Sequence, residues 1–123
     1  MLIAIDFDGT IVEHAFPAIG NPLPNAFEVM KTLQDAGHEL ILNTCREDHP
    51  TDTNQKYLTE AVEYCRENGI EFISINENRP EDDFREFTLR RKVYADIYID
   101  DRMVGGLPSW DVIAVMILSQ EEE

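Results

Sequence analysis

The sequence predicts an α/β fold, and three observations predict it. Apolar stretches of strand length alternate with segments that repeat at helical spacing. The first stretch, Leu2 to Ile5, is apolar at every position, as a strand buried on both faces requires. Acidic residues stand just past the ends of the first and fourth of these strands. Alternation of this kind implies right-handed crossovers and a three-layer, Rossmann-like parallel sheet of about five strands, with helices on both faces.

Leu2 to Ile5 stops at Asp6. Asn25 is placed to cap the first helix, because its side chain accepts from free amides and Glu28 follows three residues on. Ala26, Met30 and Leu33 repeat at helical spacing, and Gly37 ends the element. Glu39 to Asn43 reads as the second strand. Thr51 to Thr53 offers a cap for a second helix whose Leu58, Ala61, Val62 and Cys65 share a face, with Gly69 as its stop. Ile70 to Ile75 is the third predicted strand. Residues 76–91 are polar and charged, and Pro80 opposes a continuous helix, so they predict a loop with one helical turn. Ala95 to Ile99 reads as a fourth strand and Val112 to Leu118 as a fifth. Residues 1–119 form one predicted domain, and the acidic tail at 120–123 is expected to fray.

Composition narrows the function. The 123 residues carry 10 Lys and Arg against 25 Asp and Glu, a formal net charge of −15, which repels nucleic-acid backbones and anionic lipid. No run of ~18 apolar residues exists. The N-terminal stretch meets a charge at Asp6, too early for a signal peptide, so a cytoplasmic protein with no membrane partner is expected. Cys45 and Cys65 have no second pair and make neither a disulfide framework nor a zinc site. A cysteine-phosphatase register from Cys45 would need arginine where Thr51 stands.

In open parallel sheets ligands collect beyond the carboxyl ends of the strands. Asp6 ends the first strand, Thr44 follows the second, and Asp100 with Asp101 ends the fourth. Asp6, Asp8, Asp100 and Asp101 crowded at one edge would repel one another unless a cation sat among them. Oxygen ligands suit magnesium. An EF-hand is excluded, since counting from Asp6 its required glycine falls on Ile11 and its bidentate glutamate on Pro17.

The stretch IAIDFDGTIV, with Asp6, Asp8, Gly9 and Thr10, resembles the first motif of the haloacid dehalogenase (HAD) superfamily of phosphotransferases. LILNTCR resembles its second motif, with Thr44, and IYIDDR its acidic fourth, with Asp100 and Asp101. ADIYIDDR followed by PSW at Pro108 to Trp110 is further similar to the C-terminal part of deoxyribonucleotidases. The resemblance implies a magnesium-dependent phosphomonoester hydrolase in which Asp6 is the nucleophile that becomes an aspartyl-phosphate and Asp8 the general acid and base. It implies a magnesium ion held by Asp6, the Asp8 carbonyl and Asp101, with Asp100 nearby. Phosphate charge is then met by Gly9, Thr10, Thr44, Cys45, Arg46 and a cation, for which Lys92 is the leading choice and Arg90, Arg91 or Arg46 the alternatives.

The 14 residues from Ile11 to Pro24 make room for a flap but not for the inserted cap domain of many relatives. The expected partner is therefore a phosphorylated substrate of open class: sugar phosphate, nucleotide or phosphoprotein, with a homo-oligomer as one way to cover the site. Trp110 is read as packing, and His14 and His49 as loop residues beside the site. Two competing readings are a receiver-like phosphate-accepting regulatory module and an inactive binding protein on the same fold. Receivers place their acidic pair after the first strand and the phosphoacceptor mid-chain, the reverse of the order here.

Overall fold

β1 (Leu2–Ile5) lies inside the sheet because all four of its residues are buried. The structure is a computed structural model that describes residues 1–82 and 92–122. β1 pairs in parallel with β2 (Glu39–Leu42) on one side and β4 (Ile97–Ile99) on the other, and β3 (Ser74–Ile75) completes the order β3-β2-β1-β4. Ile3 faces Leu40 across one ladder and Ile97 across the other. The helices are α1 (Ala26–Asp35), α2 (Tyr57–Glu67) and α3 (Trp110–Leu118).

Period-two alternation divides the core. Ile3, Ile5, Leu40 and Leu42 pack in one cluster with Met30 and Leu33 of α1, Ala61 and Cys65 of α2, and Trp110, Ile113 and Ile117 of α3. Leu2, Ala4 and Ile41 point the other way, against Val93 and Ala95. Each buried aliphatic side chain contributes about 1.5–3 kcal/mol.

Among the described residues all three helices join one cluster, and the expectation of helices on both faces falls in part on residues 83–91, outside the described ones. The chain runs β1, β2, β3 in a constant direction, so right-handed crossovers put α1 and α2 on the same side. The return from β3 to β4 reverses direction, and its last residues, Val93 and Ala95, pack on the other face.

The predicted fifth strand is a helix. Val112 to Leu118 is apolar throughout, which hides its period, but only Ile113 and Ile117 are buried while Val112, Val115 and Met116 are exposed. The cap decides the outcome: Ser109 follows Pro108, adopts an extended backbone and accepts a hydrogen bond from the Val112 amide. The third strand shortens to Ser74–Ile75 because Ile70 leaves the turn after α2, its amide bonded to the Cys65 carbonyl.

Two caps also differ from expectation. Asn25 sits in the left-handed region (φ 63°) and its side chain donates to Asp111 instead of accepting from α1. α2 starts at Tyr57, beyond Thr51 to Thr53, and its first turn is capped by Asp48, whose carboxylate accepts from the Leu58 and Thr59 amides and the Thr59 hydroxyl. Those bonds, the Thr59 hydroxyl first, hold Asp48 below the usual carboxylate range. The chain after α3 does not fray at once: Ser119–Glu122 form a 3-10 turn.

Candidate functional site

Successive strands are added on one side of β1 as far as β3 and then on its other side with β4, and at such a switch point a parallel sheet opens a crevice beyond its carboxyl edge. Asp6 leaves β1 with its amide bonded to the Ile99 carbonyl of β4, which draws the two strand ends together. Carboxylate oxygens of Asp6, Asp100 and Asp101 lie within 4.8 Å of one another. They border a cleft of about 480 Å³ whose lining includes Asp6, Asp8, Thr44, Cys45, Arg46 and Asp100.

Thr10 organises the acidic group from below. It is fully buried, its hydroxyl accepts from the Asp101 amide at 3.0 Å, and Oγ1 lies 3.4 Å from both Asp6 Oδ2 and Asp101 Oδ1. Its carbonyl accepts the Trp110 indole N–H at 2.8 Å. Gly9 turns the chain at φ 81°, where a Cβ would collide with His14 Nε2 and Asp101 Oδ2. The flap then doubles back, its Glu13 amide bonded to Asn21 and its Leu23 amide to Ile11, and at Gly20 a Cβ would strike the Glu13 carbonyl.

Asp8 meets Arg46 in a two-pronged pair: Nε donates to Oδ2 at 2.8 Å and Nη2 to Oδ1 at 2.9 Å. Thr44 is held by its neighbours, its amide donating to Asn76 Oδ1 at 2.7 Å and its hydroxyl accepting from the Arg46 amide at 3.1 Å.

Burial pushes the Asp6 carboxyl up to about 7; the Phe7 amide opposes this, and the Asp100 and Asp101 charges add to it. Burial would raise Asp101 too, but hydrogen bonds from His14 (2.8 Å) and Asp6 outweigh it and hold Asp101 below the usual carboxylate range. The two carboxyls of this one acidic group are thus driven apart, Asp6 upward and Asp101 downward. Such a cluster can bind a hard cation, or a proton in its place.

Among solved structures the chain is similar to a conserved protein from Bacteroides thetaiotaomicron, with 46% identity over 98% of this chain and 91% of that one, and a TM-score of 0.83. The chain belongs to the family of that conserved protein. No protein-family model and no curated protein matches it.

In this family member, Asp6, Asp8, Thr44, Cys45, Arg46 and Asp100 line the cleft, and Asp101 joins the acidic group. Several expected phosphate contacts are engaged within the protein or stand away from the cleft. The Gly9 and Thr10 amides bond the Val12 and Phe7 carbonyls, so neither amide is directed at a ligand. Arg46 is committed to Asp8. Lys92 does not line the cleft: its Nζ sits 4.4 Å from the centroid of the Tyr98 ring on the edge strand β4, because an exposed lysine gains more over an aromatic face than alone in water. Arg90 and Arg91 lie outside the described residues. His14 reaches the site through Asp101, whereas His49 Nδ1 accepts from the Thr51 and Asp52 amides and holds a turn.

The cleft also has walls that the sequence reading leaves out: Asn43, Phe16 and Arg102. Asn43 and Arg102 each adjoin a chosen motif residue, so strand-end position was the available signal. Asn76, which holds Thr44 from the end of β3, carries none beyond its place after a strand.

No helix among the described residues is long and apolar enough to cross a membrane. Both cysteines are free thiols, and burial raises Cys65 to about 12.

Proposed function

We propose that this protein is a cytoplasmic, magnesium-dependent phosphomonoester hydrolase of the haloacid dehalogenase type. The observation that carries the reading is the convergence of Asp6, Asp100 and Asp101 oxygens within 4.8 Å, beside a cleft that Asp8 also lines. The donor set is all hard carboxylate oxygen, and Asp6 keeps a proton up to about 7 with no cation present, which fits a site that a divalent ion completes. Asp6, Asp100 and Asp101 would hold magnesium, and the bound ion supplies charge neutralisation for carboxylates and phosphate alike.

The protein's own groups then have distinct tasks. An Asp6 oxygen attacks phosphorus, forming the acyl-phosphate bond as the ester P–O bond breaks, and Asp8 gives its proton to the departing alcohol oxygen. Water then attacks the same phosphorus, Asp8 takes the water proton, and the Asp6 carboxylate returns with inorganic phosphate released. The Thr44 hydroxyl and the Arg102 side chain at the cleft wall meet phosphate charge. Each Asp8 oxygen accepts one N–H from Arg46 and keeps a second lone pair, so Asp8 can move a proton while the fork holds it in place.

The fork also supports a second reading. If the charge of Arg46 holds Asp8 back from proton transfer, Asp6 accepts phosphate and loses it slowly, and the protein serves as a regulatory phosphate acceptor or a binding protein. A magnesium-supplemented screen of phosphomonoesters separates the two: multiple turnovers that stop in Asp6→Asn support the hydrolase, and a single labelling without turnover supports the acceptor.

A further inference from the structure

Arg46 is 2% exposed, and the reason lies in how its donors are spent. Nε and Nη2 fork onto Asp8; Nη2 also donates to the Ala18 carbonyl at 2.9 Å, and Nη1 donates to the Pro17 and Tyr57 carbonyls at 3.4 and 3.3 Å. A guanidinium has five N–H groups, so its donor capacity is filled within the protein. Its central carbon also lies 5.0 Å from the Phe7 ring centroid and 5.1 Å from that of Phe16. One side chain therefore joins the loop after β1, the flap and the start of α2.

The geometry points to Arg46 as a positioning residue: it fixes the Asp8 carboxylate at the cleft and latches the flap across it, and it is not a ligand of the substrate's phosphate. A phosphate would have to displace carbonyl partners on the flap and at Tyr57 to reach the guanidinium, whereas Arg102 stands at the cleft wall without that network. The flap carries Phe16, which lines the cleft and is 56% exposed, so the latch also sets where an aromatic wall meets the leaving group. The catalytic half of this inference rests on the hydrolase reading; the latch half does not.

The test compares wild type, Arg46→Lys and Arg46→Ala, using phenyl phosphate, whose poorer leaving group calls on the acid, with magnesium, inorganic phosphate as the ligand probe, and hydrogen exchange at the Glu13 and Leu23 amides. A misplaced acid costs on the order of 10²-fold in kcat. That loss is expected in both variants, with phosphate affinity nearly unchanged and with faster exchange at both amides. Added guanidinium ion should restore part of the Arg46→Ala rate. If Arg46→Ala fails to fold, Arg46→Lys, which keeps the charge but lacks the fork, carries the comparison. Phosphate affinity reduced tenfold or more with flap exchange unchanged would make Arg46 a phosphate ligand and overturn the proposal. Should wild type show no turnover, the hydrolase reading fails by itself; exchange and phosphate binding still decide the latch, and unchanged exchange overturns it.

Discussion

The Trp110 indole donates its N–H to the Thr10 carbonyl at 2.8 Å, a buried bond between residues 100 positions apart. Through it the first turn of α3 supports the loop whose Thr10 hydroxyl contacts Asp6 and Asp101. Trp110→Phe keeps an aromatic ring but strands a buried carbonyl, at a cost of about 1–3 kcal/mol. Denaturant melts should show that loss, and turnover should fall with it. An equally stable variant would show that packing alone holds the loop.

Replacing Asp6 by asparagine removes charge with little change of shape. Asp6→Asn should abolish turnover and stay folded, while Asp8→Asn should lose roughly 10² to 10⁴ in rate. Steady-state kinetics with circular dichroism as the fold control measure both. A folded, fully active Asp6→Asn protein would refute the mechanism.

Stability without divalent ions should depend on pH through Asp6. The folded carboxyl keeps its proton up to about 7, while the unfolded one releases it near 3.8. Between these values the folded chain binds more protons, so stability falls as pH rises across that interval. Asp101, lowered in the fold, adds stability that is present above the unfolded value of 3.8 and is lost only as pH falls through its lower folded one. Denaturation in EDTA across the interval should show the slope in wild type and its absence in Asp6→Asn.

Magnesium should stabilise the folded protein by about 2.7 kcal/mol at a hundredfold excess over its dissociation constant. It should also flatten the pH slope, because the ion replaces the proton on Asp6. Asp101→Ala should lose the stabilisation, and without metal it should melt no lower than its lost hydrogen bonds dictate, since one repelling charge is gone. An unchanged wild-type melting curve with magnesium would refute the site.

A site covered only by a flap offers small substrates few contacts beyond the phosphate. Hydrolysis of small phosphomonoesters should therefore be promiscuous, with KM near or above the top of the usual ~1 μM to 1 mM range. Kinetics on nucleotides, sugar phosphates and a phosphopeptide, with sedimentation for the oligomeric state, would check this. Selective turnover of one small metabolite by a monomer at low KM would show that the flap suffices.

The strands and helices that position the site were legible because their signals are local. The continuous apolar run of β1, the helical face of Leu58, Ala61, Val62 and Cys65, and the acidic residues after β1 and β4 all lie within short windows. Failures share the opposite character. Val112 to Leu118 is apolar on every side, so periodicity is silent and the Ser109 cap was the better guide. The cap of α2 arrives from Asp48, ahead of the threonines that compete for the role. That Arg46, a cleft residue within its motif, also partners Asp8 emerges only when Pro17, Ala18 and Tyr57 gather round it, which no window contains. Lys92 has the right charge, but its place over Tyr98 depends on the sheet edge.

Gly9 and Gly20 leave a mark that a library of random variants would record. Any side chain at Gly9 meets His14 and Asp101 in a left-handed backbone, and at Gly20 it meets the Glu13 carbonyl, whereas Gly37 shares the left-handed backbone but meets no neighbour. Selection for the intact cleft would hold positions 9 and 20 at glycine and keep the buried Thr10, Ile11 and Val12, while exposed flap residues such as Glu13 and Ala15 vary. The local tolerance map would then trace the flap's hairpin path in one dimension, frozen at its two glycines and its buried first limb and permissive at the exposed tip.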